Sequence, residues 1–101
     1  MSDNYSFETA LNFLRQNKRI LSKKFGVKKT GIFGSFVRGE ERQGSDIDIL
    51  VEFEGGSETF KNYMHFKFFL EDAFSRKVDL VIIDDIKPVI KEGILREAVY
   101  A

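Results

Sequence analysis

Apolar and polar positions follow two different rhythms along the chain. Between residues 6 and 24, Phe7, Ala10, Leu11, Leu14 and Leu21 recur at spacings of three, four and seven, with lysines and arginines between them. That is the pattern of one amphipathic helix. Gly26 follows basic residues that suit a helix C-terminus and is placed to end it. A short run from about Lys29 to Phe33 predicts a strand, broken by Gly34. Ser35 then opens a short helix that Gly39 and Gly44 curtail. From Asp46 to Phe53 the period becomes two. Ile47, Ile49, Val51 and Phe53 share one face of a strand, and Asp46, Asp48, Leu50 and Glu52 the other. Gly55-Gly56 makes a loop, and a second long helix spans about Glu58 to Ser75, with Phe60, Tyr63, Met64, Phe66, Phe69, Leu70 and Phe74 available for burial. Lys77 to Ile83 reads as an interior strand, β-branched and apolar, with Asp79 its one acid. Asp84-Asp85 turns the chain into a last helix, from Ile86 or Lys87 to Val99, with Pro88 in its first turn.

Helices and strands therefore alternate, which argues for an α/β (α+β) fold in two or three layers. A chain of 101 residues is expected to form a single domain, 1–101. It is 43% apolar and 32% charged, as a globular protein is, but it carries eleven phenylalanines, many of which a single small core can absorb. Some of them are candidates for a partner interface. With no cysteine, disulfides, thiolate metal sites and cysteine nucleophiles are excluded. No apolar run approaches the roughly 18 residues of a membrane span, and the N-terminus lacks a signal-peptide pattern, so a cytoplasmic protein is expected.

The formal charge sums to zero, yet the charges are segregated. Arg15, Lys18, Arg19, Lys23, Lys24, Lys28 and Lys29 fall in a stretch with no acid, either a solvated helix face or a surface for phosphate or an acidic partner. Residues 40 to 58 hold Glu40, Glu41, Asp46, Asp48, Glu52, Glu54 and Glu58 against Arg42 alone.

Two of those acids bear on chemistry. On a strand Asp46 and Asp48 leave the same face about 6.6 Å apart at the backbone. Carboxylates about 5 Å apart repel by about 3 kcal/mol at an effective dielectric near 20, so a cation between them is favoured over a bare pair. Asp79 adds a third carboxylate if its strand is a neighbour, and within an apolar run it needs a cation, a lysine or a wet cleft. Three carboxylates with water and phosphate oxygens are the ligand set Mg²⁺ prefers. Upstream, Gly34-Ser35 joins a strand to a helix start, where backbone N–H groups and a hydroxyl can meet a phosphate. Arg38, three residues on, shares the face of Ser35.

Gly-Ser, ten intervening residues, Asp-x-Asp on a strand and an acid on a later strand together resemble the DNA polymerase β-like nucleotidyltransferase superfamily. The resemblance is to its minimal members, the MNT antitoxins encoded beside HEPN toxins. It rests on Phe33-Gly34-Ser35, Arg38-Gly39-Glu40, Ser45-Asp46-Ile47-Asp48-Ile49-Leu50-Val51 and Lys77-Val78-Asp79-Leu80, with Ile94 to Tyr100 similar to the family's closing helix. It implies a polymerase β palm-like core, a small mixed sheet flanked by helices, holding ATP or another nucleoside triphosphate with two Mg²⁺ ions. Gly34 and Ser35 would grip the β- and γ-phosphates, with Arg38 and Ser45 completing the nucleotide site. Asp46, Asp48 and Asp79 would be the catalytic and metal-binding acids, Asp79 activating the incoming hydroxyl. In such relatives AMP is placed on a tyrosine of a HEPN RNase. A second reading is a binding module that neutralises its partner stoichiometrically, through the Phe-rich helix and the last helix. A third is transfer to a small molecule or nucleic acid. Nucleic acid is disfavoured because the basic run lacks interleaved aromatics beyond Phe25. His65, the one histidine, lies mid-helix and is read as structural or exposed rather than catalytic.

Overall fold

The computed structural model describes residues 7–39 and 46–101. The first amphipathic stretch forms two helices where one was expected, α1 (Phe7–Gln16) and α2 (Lys18–Phe25). The break is at Asn17, with φ −106° and ψ 13°. Its side-chain amide donates to the Phe13 carbonyl at 2.8 Å, and its backbone N–H donates to the same oxygen at 3.1 Å. A side chain that competes for a carbonyl of the preceding turn interrupts the helical ladder. Leu14 and Leu21 are buried on either side of the break, so the apolar spacing runs straight through it. Gly26 ends α2 as expected, its N–H donating to the Ser22 carbonyl at 2.9 Å.

Strand β1 (Val27–Phe33) leads into the one-turn helix α3 (Ser35–Arg38). Strand β2 (Ile47–Phe53), helix α4 (Phe60–Phe74) and strand β3 (Val78–Ile82) follow. A 3-10 turn (Ile83–Asp85), helix α5 (Pro88–Glu97) and strand β4 (Val99–Tyr100) complete the order. The sheet runs β3-β2-β1-β4 and is mixed: β2 is antiparallel to β1 and parallel to β3, and β4 is antiparallel to β1.

Two expectations change. The Val78–Ile82 run is an edge strand, not an interior one. Its apolar character comes from Val78 and Leu80, buried in the core. Helix α4 also shields its outer edge: Glu71 Oε2 accepts from the Val78 N–H at 2.9 Å, and the Tyr63 hydroxyl donates to the Leu80 carbonyl at 2.5 Å. The last helix stops at Glu97, because Val99 and Tyr100 pair with Ile32 and Gly31 on the other edge of β1. A β-branched and an aromatic residue suit that edge better than another helical turn.

One sheet face carries the core. Ile47, Ile49, Val51 and Phe53 all point into it with Leu11, Leu14, Phe25, Phe66, Leu70 and Phe74. Much of the phenylalanine surplus is used there, with Phe66 packed at a tilt against Phe25 and edge-on against Phe53 at centroid distances of 5.3 and 6.2 Å. Leu50, expected beside the acids on the opposite face, is fully buried as well. No helix among the described residues is long and apolar enough to cross a membrane.

Candidate active site

The site lies where β1 ends and β2 begins. Because the two strands are antiparallel, Phe33 pairs with Asp48, and the turn after β1 meets the first acids of β2. Gly34 takes φ 77° and ψ −148°, a backbone state open to glycine but strained for other residues. A Cβ built there would collide with the Asp48 carboxylate. Glycine is thus required twice, for its dihedrals and for the space that Asp48 fills. Its carbonyl accepts from the N–H groups of Val37 and Arg38 at 3.1 and 3.2 Å, which winds α3. Phe36, buried in the core under the Arg76 guanidinium (5.1 Å from the ring centroid), fixes the inward side of that turn. Ser35 is half-buried at its start, and Arg38 is exposed at its end.

The parallel pairing of β2 with β3 places Asp48 opposite Asp79. Asp48 is half-buried, whereas Asp79 and Asp46 are exposed. The burial penalty expected from Asp79's apolar surroundings therefore falls on Asp48. Burial, the charges of Asp79 and Asp46, and a side-chain hydrogen bond with Asp79 push the Asp48 carboxyl up to about 6, and Arg38 opposes this.

Among the described residues no three His, Cys, Asp or Glu side chains are gathered closely enough to hold a metal ion as they stand. What the structure brings together is the Asp48–Asp79 pair, with Asp46 two residues upstream and near enough to act on Asp48. This donor set is all oxygen and carries surplus negative charge held partly out of water. A hard divalent cation such as Mg²⁺ fits that chemistry.

Arg38, expected to face a triphosphate, lies close enough to act on Asp48 and forms an ion pair with Glu97, Nη1 to Oε2 at 2.5 Å. Glu97 was not legible as a site residue, since nothing in Leu-Arg-Glu-Ala distinguishes it from a solvated helix end. Tyr63, expected only as a core candidate, reaches the β3 edge beside Asp79. Its hydroxyl is shifted up mainly by burial, with Asp79 adding to the shift and Lys67 opposing it. Ser45, expected in the nucleotide site, lies outside the described residues, as does Glu40. The basic residues Arg15 to Lys29 are all exposed. Lys18, Arg19, Lys28 and Lys29, with Glu54, line a hollow of about 380 Å³ at the opposite end of β1 from Gly34.

A nucleotidyltransferase domain model matches residues 14–101. The protein adenylyltransferase MntA of Thermococcus cleftensis is 39% identical over 94% of this chain and 95% of its own length. A solved structure described provisionally as a minimal nucleotidyltransferase superposes with a TM-score of 0.77 at 36% identity, covering 93% of this chain and 94% of the other. A Shewanella oneidensis structure, a tri-AMPylated HEPN toxin in complex with MNT antitoxin, shares the fold with a TM-score of 0.66 at 18% identity, covering 93% of this chain and 70% of that one.

Proposed function

The chain belongs to the nucleotidyltransferase domain family, and from that premise we propose that it transfers AMP from ATP to a hydroxyl of a protein acceptor, a tyrosine of a HEPN RNase toxin. The observation that carries this reading is the facing pair Asp48 and Asp79, set against a glycine turn with no side chain. The likeness to a protein adenylyltransferase over nearly the whole chain supports a protein as acceptor. The HEPN complex of the Shewanella neighbour supports the choice of partner. Residues 1–101 act in this reading as one domain, in the cytoplasm.

In the mechanism, the backbone and hydroxyl of Gly34-Ser35 bind the β- and γ-phosphates, and Ser45 completes that cradle. Arg38 lays positive charge along the pyrophosphate, which the reaction releases. Asp46, Asp48 and Asp79 would hold two Mg²⁺ ions, which when bound supply charge neutralisation across the phosphates. Asp79, the exposed acid of the pair, takes the proton of the incoming hydroxyl. The acceptor oxygen bonds to the α-phosphorus as the bond from that phosphorus to the bridging oxygen breaks. Pyrophosphate leaves, and AMP remains on the acceptor.

The experiment is incubation of the chain with a co-encoded HEPN protein, Mg²⁺ and ATP labelled at the α-phosphate. Label should pass to the HEPN tyrosine. Tight complex formation without transfer would overturn the catalytic reading. A second reading, neutralisation by binding, is favoured by Phe60 and Phe68 on α4, which stand 79% and 54% exposed. The double variant Asp46→Asn, Asp48→Asn separates the two. Under catalysis it still folds and binds the partner but no longer silences it.

A further inference from the structure

The described part of the chain holds its ion pair of greatest sequence reach beside the proposed nucleotide site. Arg38 closes α3, the turn that follows Gly34, and Glu97 closes α5, 59 positions later. Their side chains meet at 2.5 Å although both are partly solvated, 49% and 28% exposed. A partly solvated pair contributes little to stability. Its consequence is where it puts the guanidinium. An unrestrained arginine carries rotamer entropy that a ligand must remove on binding. Here Glu97 helps to hold Arg38 beforehand, near enough to Asp48 for its charge to act there.

Glu97 is itself placed by the contacts of the residues that follow it. The residues just after it are bound to β1, the strand that ends at Gly34. Val99 and Tyr100 pair with Ile32 and Gly31, and the Ala101 N–H donates to the Thr30 carbonyl at 3.0 Å. The Tyr100 hydroxyl donates back to the Leu95 carbonyl at 3.3 Å. The Lys29 ammonium sits 4.3 Å from the Tyr100 ring centroid, and Arg15 donates to the Tyr100 carbonyl at 3.3 Å. Strand β1 thus carries the glycine turn at its end and fixes the segment that delivers Glu97 along its outer edge.

We propose that Glu97 is a positioning residue of the nucleotide site, holding the Arg38 guanidinium in place to receive the triphosphate of ATP. The proposal rests on reading this cleft as an ATP site. Calorimetric titration of MgATP into the full chain and into Glu97→Ala, Glu97→Gln, Arg38→Gln and the Arg38→Gln, Glu97→Ala double variant tests it, with transfer kinetics alongside. Glu97→Ala should bind MgATP about tenfold more weakly, the ordering of one long side chain. KM for ATP should rise, kcat at saturating ATP should hold, and the nucleotide-free Tm should not move. Glu97→Gln, which keeps an acceptor at the same reach, should recover much of the loss, and the double variant should bind no worse than Arg38→Gln alone. Unchanged or tighter binding by Glu97→Ala overturns the proposal, tighter binding marking Glu97 as a competitor for Arg38. Losses that add in the double variant, or that follow a fall in Tm, overturn it too. Absence of MgATP binding by the parent chain would instead bring down the ATP site itself, and this proposal with it.

Discussion

The carboxylate of Asp48 occupies the space that a side chain at Gly34 would need. The glycine turn and the first strand acid, fourteen positions apart in sequence, are two sides of one contact. Gly34→Ala therefore meets both a positive φ of 77° and a collision with the acid. The dihedral strain alone costs about 1–3 kcal/mol. In a domain of this size that lowers Tm by several degrees, about 4–8 °C per kcal/mol. If the site binds as proposed, MgATP should raise the Tm of the parent chain and displacing Asp48 should abolish that rise, so thermal melts with and without nucleotide check both effects.

The raised Asp48 carboxyl gives the nucleotide-free protein a pH dependence with a definite sign. Folded, Asp48 keeps its proton up to about 6, because burial and its two acid neighbours disfavour the charge. Unfolded, an aspartate releases it near 4. Between those values the folded chain binds more protons than the unfolded one, so stability falls as pH rises and levels off above the folded value. Solvent screening limits the contribution to about 1 kcal/mol. Urea unfolding from pH 4.5 to 7.5 should show this decline in the parent chain and lose its Asp48 share in Asp48→Asn. Millimolar Mg²⁺ should stabilise the parent most above pH 6, where the carboxyl is free to ligate.

Asp79→Asn separates repulsion from reaction. The substitution removes the charge partner facing Asp48 across β2 and β3. The nucleotide-free Tm at pH 7.5 should hold or rise slightly, since one like-charge neighbour is gone. Loss of the proton acceptor should lower kcat for AMP transfer by about 10²–10⁴-fold. Asp79 is exposed on an edge strand, so the fold does not depend on it for packing. A variant with kcat near that of the parent would remove Asp79 from the proposed role.

How far the sequence carries depends on whether a feature is local. The period-two pattern of β2 was legible because Ile47, Ile49, Val51 and Phe53 are all buried while Asp48 and Glu52 between them stay half-buried, although Leu50 breaks the polar side of the alternation. The glycine turn and its acids were legible as residue types, and strand pairing is what joins them. Four features were not legible. The break at Asn17 depends on a side-chain bond to Phe13 that leaves the apolar spacing intact. The short β4 exists because an edge of β1 is open to it, a tertiary circumstance. The edge position of β3 is hidden because α4 buries Val78 and Leu80 as deeply as strands on both sides would. The Arg38–Glu97 pair belongs with these, since its partners share no local pattern.

Tyr63 joins the edge strand to the helix behind it, and its hydroxyl is the group to remove. It donates to the Leu80 carbonyl at 2.5 Å, one residue along β3 from Asp79. Tyr63→Phe keeps the ring and its packing but leaves that carbonyl without its protein donor. An intramolecular hydrogen bond of this kind contributes about 1 kcal/mol net. Tm should therefore fall by about 4–8 °C, the shift expected for that energy in about 100 residues. Glu71 still occupies the Val78 N–H, so the strand stays paired with β2 and MgATP affinity should be retained. Opening one carbonyl on an edge strand also weakens its protection against strand addition. Light scattering at high protein concentration should show earlier association for Tyr63→Phe than for the parent. An unchanged Tm would mean that water replaces the hydroxyl at no cost, and that Tyr63 stabilises β3 through its ring alone.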